Sequence, residues 1–526
     1  MATTAAPSPL ETAPAPRKTR ALPRAGSVTA FLLLAVLVLL TQLGGLAREM
    51  IDWDETTFIL MGADVAKGHL PFVEQFDLKP PGVFLLIGAS IALFGKSLAA
   101  IRLLGDLCLL ASAFLAYRIA RPCTGNWPAL GGAALTIAMA SMEFGQPTYS
   151  ELPATAFLMA AVWALAQPPT TLAPVTLGRA ALAGLCLSLA VFCRTNLGVA
   201  ALAGGLLLLG AALLRSPRVD RLAFLAYGAA GLVPPALMTA IYAMAGQIDT
   251  LRLAMIDVPL AYSGQQGLAD VLLSHISQFY YTAGSAPLIF LPAVLLIAAG
   301  VPVMLTRLVR RGDGQWHALV VLAMTGAVLV SLLAGGAAYP HYWLQVLPLL
   351  AVIAAHALAL MKPLLLRFAG TAMVLIPCGA ALTAEAPQAL RVLADPAATD
   401  DGFGMEQAAR HIARTSPEGH TVWALHKHLV HWYLDAPQLS RAGVHPNNLA
   451  PGPIIGTLAK QGYVGADELD RVIRSLPDFI VTDGKGVGVD WVRQSGKPID
   501  SWLAAHYRLD ARFGDVIVYR RSGPRG

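Results

Sequence analysis

Long apolar runs, separated by short loops that carry basic clusters, fill the chain from residue 28 to about residue 384, and they restrict it to a helical membrane fold. A spanning helix needs roughly 20 apolar residues, and the stretch 28–46 supplies them. Further runs follow at 99–120, 128–142, 153–166, 180–192, 197–214, 222–245, 287–305, 316–334, 343–361 and 368–382. Read as crossings, they make about 11 transmembrane helices. The run 82–94 is short, follows Pro80-Pro81, and reads as a tilted or interfacial helix. Basic clusters at 17–24, 118–121, 215–221, 307–311 and 362–367 fall at one set of helix ends. The segments 142–152 and 335–342, at the opposite ends, contain no Lys or Arg. Cytoplasmic loops carry the excess of Lys and Arg. The N-terminus is therefore expected in the cytoplasm and the C-terminal part outside it.

Composition divides the chain. Of 526 residues, 56% are hydrophobic and only 13% charged, against about 25% charged in a soluble domain. After residue 385 the charged density becomes that of a globular domain. The expected organisation is a disordered cytoplasmic tail at 1–27, rich in Ala, Pro and Thr, then a transmembrane domain at 28–384. That domain has a first outer loop at 47–81 and a second long outer loop at 246–284. An extracytoplasmic domain follows at 385–526, about 140 residues and so of ordinary domain size. A cleaved signal peptide is the rival reading of the first apolar run. No small-residue cleavage site follows it, which favours an uncleaved first helix. The last domain reads as α/β, with strands at 421–425, 479–482 and 516–519. A helix at 467–476 puts Leu469, Val472 and Ile473 on one face.

The net charge of +6 does not indicate a nucleic-acid partner. The basic residues sit at helix ends and form no patch with interleaved aromatics. None of the five cysteines lies beyond residue 385, and no CxxC or Cys/His zinc spacing is present. No metal site and no cofactor are expected, with a divalent cation left open. His426, His428 and His431 are close in sequence, but no Asp or Cys completes a metal site, so they read as a solvated helix. The run 484–488 lacks P-loop spacing and reads as a turn. Pro234-Pro235 reads as a kink, and the Gly- and Ala-rich helices as closely packed ones.

The unusual polar residues of the membrane part collect on the outer side. They are Asp52, Asp54, Glu55, Asp77 and Lys79 in the first loop, then Glu151, Arg194, His341 and Tyr342. The second long loop adds Arg252, Asp257 and His275. Exposed loops are polar in any case. An acid pair beside Trp53 at a helix end is nonetheless an odd choice for solvation, and ionisable groups near hydrocarbon are costly unless used. A carboxylate there is expected to have a raised pKa and to serve as a general base. Lys79, Arg194, Arg102 and His341 are candidate cations for an anionic leaving group, Arg in fork geometry and Lys as a point charge. For Arg194, in a short apolar hairpin, snorkelling to the interface is the competing reading.

Three motifs together carry a resemblance: Asp54-Glu55, Gly68-His69-Leu70-Pro71-Phe72 and Lys79-Pro80-Pro81. The segment resembles the first extracytoplasmic loop of integral-membrane GT-C glycosyltransferases, such as protein O-mannosyltransferases and lipid A aminoarabinose transferases. Tyr339-Pro340-His341-Tyr342-Trp343-Leu344-Gln345-Val346-Leu347-Pro348 resembles that family's entry into a late helix. Glu151 stands where some members carry Asp. The resemblance covers about 350 residues of the membrane part. It implies inverting transfer from a polyprenyl-phosphate sugar to an envelope glycan, lipid or protein acceptor. It places Asp54, with Glu55, in the catalytic position. Lys79, Arg194, His341, Tyr342, Arg102 and Glu151 are the implied residues for donor phosphate or substrate. Where the acceptor is a phosphate, as for aminoarabinose transferases, no strong base is needed and Asp54 takes another role. The expected location is a bacterial inner (plasma) membrane. The alternative function is a transporter or flippase of a glycolipid. Transporters place charges near the midplane and show repeated halves with broken helices, and neither pattern is clear here.

Overall fold

A computed structural model describes residues 24–141, 147–166, 175–214, 217–262, 267–310, 314–334, 338–394, 403–417, 419–483 and 499–523. The expected N-terminal tail up to residue 23, Arg215, Arg311 and the 484–488 turn lie outside them. Sixteen helices form the first part: α1 Arg24–Gln42, α2 Trp53–Ala66, α3 Pro81–Phe94, α4 Leu98–Thr124, α5 Asn126–Ala140, α6 Glu151–Ala166, α7 Leu177–Cys193 and α8 Gly198–Leu214. They continue with α9 Pro217–Met244, α10 Ile248–Arg252, α11 Val258–Tyr262, α12 Leu268–Ser285, α13 Pro287–Val309, α14 Gln315–Ala334, α15 Leu347–Leu358 and α16 Leu364–Ala394. Pro234 and Pro235 lie inside α9, which runs on through them.

Every apolar run read from the sequence contains a helix. Among the described residues, seven helical stretches reach spanning length and hydropathy. Helices α5, α6, α7 and α15, which the count of eleven also uses, have 15, 16, 17 and 12 residues. They fall short of the roughly 20 needed for a straight crossing. The structure thus establishes a polytopic helical protein, and the count of eleven remains a topological reading. Side chains such as Leu202, Leu206, Leu232, Leu237 and Leu291 are largely exposed. A belt of this kind is tolerable only where acyl chains rather than water cover it. Inside the bundle small residues set the spacing. A Cβ at Gly184 would enter the Tyr227 carbonyl, and one at Gly300 the Ile353 carbonyl. These crossings bring α7 against α9 and α13 against α15, with backbones nearly touching.

Both segments read from the sequence as outer loops contain helices. The first holds α2, buried from Glu55 to Ala63; the second holds α10, a π-helical turn at Leu253–Asp257, α11 and α12. Residues 53–63 carry too many apolar side chains to stay in water, yet the stretch is too short to span. It folds onto α3 and under the C-terminal part instead.

That C-terminal part adds α17 Gly404–Thr415, β1 Val422–Trp423, α18 Val430–Leu434, α19 Pro453–Lys460, α20 Glu468–Arg474, β2 Phe479–Thr482, α21 Ile499–His506, β3 Tyr507–Phe513 and β4 Val516–Arg521. The sheet order is β1-β2-β4-β3. The β1/β2 pair is parallel, and the other two pairs are antiparallel. Strand β3 went unread because its alternation is mostly exposed. The α/β reading therefore holds. The unit is not a separate appendage, however. Phe58, Phe72, Phe76 and Phe84 share one apolar core with Trp423, Leu425, Leu429 and Val430. Hydrogen bonds cross between the two parts, among them Phe76 N–H to the Arg441 carbonyl at 2.7 Å, Thr57 Oγ1 to the Val444 carbonyl at 3.2 Å, and Tyr463 OH to the Phe72 carbonyl at 2.7 Å. The solvated helix expected at His428 and His431 is corrected. Both are buried, with Nδ1 facing the carbonyls of His426 and Ala436. Burial pushes His428 down to about 3 and His431 down to about 4, so both are neutral core residues.

Candidate active site at the mouth of the helical bundle

The site begins with two local sequence signals. Asp52 is the N-cap of α2, and its Oδ1 accepts from the Asp54 N–H at 2.8 Å. Capping leaves Asp54 and Glu55 in the first helical turn, where the helix dipole favours negative charge. They project to opposite destinations. In the second signal, Asp77 Oδ2 accepts from the Lys79 N–H at 3.1 Å, closing a turn that aims Lys79 back at α2. Pro81 then starts α3 at a position where a missing N–H costs nothing. Lys79 Nζ reaches Asp54 Oδ2 at 2.8 Å.

Asp54 has a second partner that sequence reasoning missed. His445, from the C-terminal part, brings Nε2 to 3.2 Å from Asp54 Oδ1. Beside it, Asn448 Nδ2 donates to the Phe76 carbonyl at 3.0 Å and lies 3.4 Å from Asp77 Oδ1. The only sequence signal for this segment was a turn-rich His-Pro-Asn-Asn run at 445–448. Nothing in it pointed to a carboxylate 391 positions away.

Arg194 ends α7 with an extended backbone. Its Nη2 meets Glu151 Oε1 at 3.0 Å, and its guanidinium lies 4.4 Å from the Tyr342 ring centroid. His341 Nε2 is 3.8 Å from the same Glu151 oxygen. The imidazole stacks on Tyr149 at 4.3 Å and on Tyr339 at 5.6 Å. Arg194 is therefore turned into the protein, and snorkelling does not describe it. One cavity of about 780 Å³ joins these groups: Asp54 and Lys79, Arg194 and Asn196, His341 and Tyr342, and His445 and Asn448 all line it. Glu151 stands behind Arg194 and His341 as their shared anion.

Glu55 and Arg102 are not brought to this cavity. Arg102 Nε and Nη2 donate to the two Glu55 oxygens at 3.2 and 2.9 Å. Glu55 also accepts the Thr148 N–H at 2.9 Å. Arg102 further donates to the carbonyls of Gly45, Arg48 and Glu49. Both side chains are 2% exposed. From the second loop, Arg252 lies 3.6 Å from Asp257, and His275 faces the Leu332 carbonyl.

The electrostatics correct two expectations. Burial by itself would raise Asp54, but the Lys79 charge and the hydrogen bond from His445 hold its carboxyl well below the ordinary range. Asp54 is thus a carboxylate with two hydrogen-bonding partners, not a base poised near neutrality. Burial would lower Lys79, and Asp54, Asp77 and Tyr342 reverse this and raise it. Burial holds His341 below its usual value, against the pull of Glu151 and Asp54. It enters as a neutral hydrogen-bonding ring rather than a cation. Asp52 is pushed up to about 6 by burial and by the Asp54 charge.

The Asp52 shift has a defined consequence. A carboxyl raised from 3.8 to about 6 binds more protons folded than unfolded between those values, so its ionisation weakens the fold as pH rises through that window. Asp52→Asn keeps an N-cap acceptor of equal quality and removes the charge. Its melting temperature relative to wild type should be higher at pH 8 than at pH 4.5. An equal difference at both values would mean that Asp52 is not strained by burial.

Residues 78–243 match the family model described as dolichyl-phosphate-mannose-protein mannosyltransferase. No curated protein sequence matches the chain. Among solved structures, the chain is similar to ArnT from Cupriavidus metallidurans bound to undecaprenyl phosphate, with TM-score 0.61 and 15% identity. The similarity covers 94% of this chain and 98% of that one. The same protein in the apo state gives 0.63 with the same identity and coverage. An Archaeoglobus fulgidus oligosaccharyltransferase tethered with an acceptor peptide gives 0.51 at 11% identity, covering 95% of this chain and 74% of that one. The chain thus has the fold of the integral-membrane GT-C glycosyltransferases. The resemblance read from the first loop stands on a family-model match and on a shared architecture.

Proposed function

We propose that the chain is an inverting glycosyltransferase that takes a sugar from a polyprenyl-phosphate donor and passes it to an acceptor at the outer face of the membrane. The observation that carries this reading is the Asp54–Lys79 pair, facing Arg194 and His341 across a cavity at the mouth of an apolar bundle. A second groove, of about 890 Å³, runs between α7 and α9. It is lined by Val191, Phe192, Leu232 and Met238, and it shares Met255 and Ile256 with the polar cavity. A polar chamber bordering an apolar groove suits a lipid phosphate whose chain stays in the bilayer. That ArnT has been seen with undecaprenyl phosphate agrees with this assignment.

The chemistry follows from charge. In the donor, the phosphate is a diester with one negative charge. When the acceptor oxygen bonds to the sugar C1 and the C1–phosphate oxygen bond breaks, the leaving lipid phosphate gains a second negative charge. Lys79, the remaining N–H donors of Arg194, and a ring N–H of His341 are placed to stabilise that gain. Groups that hold the product charge more strongly than the substrate charge lower the barrier. The acceptor proton goes to Asp54. Its low basicity in the resting site is set by Lys79. As Lys79 turns to the donor phosphate, Asp54 loses its closest cation and becomes a better base. Donor binding and base activation are then one event.

The assay that separates this reading from a flippase is consumption of a polyprenyl-phosphate sugar by the purified protein in detergent. A transferase works there, whereas a flippase needs two compartments. No turnover with any acceptor fraction of the envelope would overturn the proposal. Orientation is open to an independent measurement. A phosphatase reporter fused after Arg521 should be active and a cytoplasm-only reporter silent. The reverse pattern would put the cavity on the cytoplasmic side.

A further inference from the structure

We propose that Cys123, His317 and His356 form a binding site for a thiophilic d¹⁰ cation, Cu⁺ or Zn²⁺, at the end of the bundle remote from the cavity. The sulfur and the ring nitrogens lie within 4.8 Å of one another. They come from three different helices: the end of α4, the start of α14 and the end of α15.

Two buried histidines make the argument. His356 and His317 are fully buried. His356 Nδ1 lies 2.9 Å from the Val352 carbonyl. A carbonyl can only accept, so Nδ1 carries the proton. That leaves Nε2 with a bare lone pair, and it has no partner. This arrangement is the usual one for a metal-ligating histidine, oriented by a backbone carbonyl through its other nitrogen. The Ala166 carbonyl faces the His317 ring, yet neither of its nitrogens makes a well-formed hydrogen bond. The two rings stand 5.6 Å apart between centroids. Buried polar groups left without partners destabilise a fold, and a shared ion would relieve this.

The donor set selects the ion. One thiolate and two imidazoles suit copper and zinc rather than magnesium or calcium. Metal–ligand bonds of about 2.0–2.3 Å need the atoms to draw together by up to roughly an ångström, which rotation of the rings and of Cys123 allows. Arg307 donates from Nη2 to the Cys123 carbonyl at 3.3 Å, adding positive charge beside the cluster. A Cu⁺–thiolate pair is neutral and tolerates that neighbour better than Zn²⁺, which retains a net positive charge. Cys123 is only half-buried, which leaves a route for the ion.

The site is well placed to act as a staple. Helix α14 carries His317 at one end, and Ser331, fourteen residues on, lines the cavity. That separation is roughly 21 Å along a helix at 1.5 Å per residue. Helix α15 likewise leads back to His341. An ion at this end would tie the three helices without entering the cavity.

The test uses the full chain in detergent, purified without a histidine tag, stripped with chelator, and offered Zn²⁺ or, under reducing anaerobic conditions, Cu⁺. Elemental analysis after desalting should find about one ion per chain, with Cu⁺ the harder to remove. Cys123→Ser and His356→Gln should each bind at least tenfold more weakly, and Cys378→Ser should bind as wild type does. Metal should raise the melting temperature of wild type but not of the two ligand variants. Should the variants fail to fold, wild-type Cys123 gives a direct readout, because bound metal must protect it from maleimide labelling. No stoichiometric binding of either ion, labelling of Cys123 unchanged by metal, or equal binding by folded ligand variants would overturn the site.

Discussion

Asp54→Asn should lower the turnover number for sugar transfer by about 10²–10⁴-fold, the usual effect of losing a general base. The change is nearly isosteric and leaves the N-cap of α2 in place, because that bond uses the Asp54 backbone N–H and the Asp52 side chain. The melting temperature should therefore move far less than the rate. The effect should reach beyond the lost base, since the amide keeps one acceptor oxygen where the carboxylate gives one each to Lys79 and His445. The pH dependence carries the sign. The Asp54 carboxyl is held well below its ordinary range in the resting site. Its ionised form, and the stability it contributes, persist through neutral pH and are lost only as pH falls through that depressed value. The free enzyme should then show no acid limb from Asp54 near neutrality. With donor bound and Lys79 drawn to its phosphate, the limb should move upward, so the turnover number should show it at higher pH than does kcat/KM. Near-normal turnover by folded Asp54→Asn would remove the base from the scheme and favour an acceptor that needs none, such as a phosphate.

The parts of the architecture visible in the sequence are those governed by local physics. Apolar run length and flanking charge marked the start of each helix read as a crossing to within a few residues. A short apolar run marked β2 at 479–482 as a buried strand, which is the strand found. Helix α2 was missed because its buried face packs on α3 and on the C-terminal core, so its sequence looks neither amphipathic toward water nor long enough for lipid. The site was legible as a set of ionisable residues on one side, since each is locally anomalous. Their pairing was not, because partners are chosen by tertiary packing. Arg194 chose Glu151, and Asp54 took both Lys79 and His445. The direction of the Asp54 shift failed for the same reason. Desolvation is readable from apolar surroundings, but the partners that override it, Lys79 and His445, lie 25 and 391 positions away. The cluster of Cys123, His317 and His356 was equally hidden, since no local spacing joins helices so far apart in the chain.

The two neighbouring acids of the first loop should part company when each is neutralised. Glu55→Gln, one residue from Asp54, should act mainly on the fold. Its carboxylate meets Arg102 through two bonds, at 3.2 and 2.9 Å, and also accepts the Thr148 N–H. Arg102 in turn holds the carbonyls of Gly45, Arg48 and Glu49, which end the first helical segment. The pair thus ties the exit of α1, the start of α2, α4 and the approach to α6 at one dry point. Removing one partner of such a pair leaves the other charge buried and costs about 3–5 kcal/mol. Arg102→Met should cost at least as much as Glu55→Gln, because it strands several carbonyls as well as the acid. The double variant should be more stable than the sum of the single losses implies, since neither charge is then left alone. Thermal melting in detergent measures all three. The decisive contrast is with Asp54→Asn: Glu55→Gln should lose melting temperature and, once folded, retain most of its turnover per active molecule. If Glu55→Gln instead melts like wild type and loses turnover as Asp54→Asn does, Glu55 belongs to the chemistry and the division between the two acids fails.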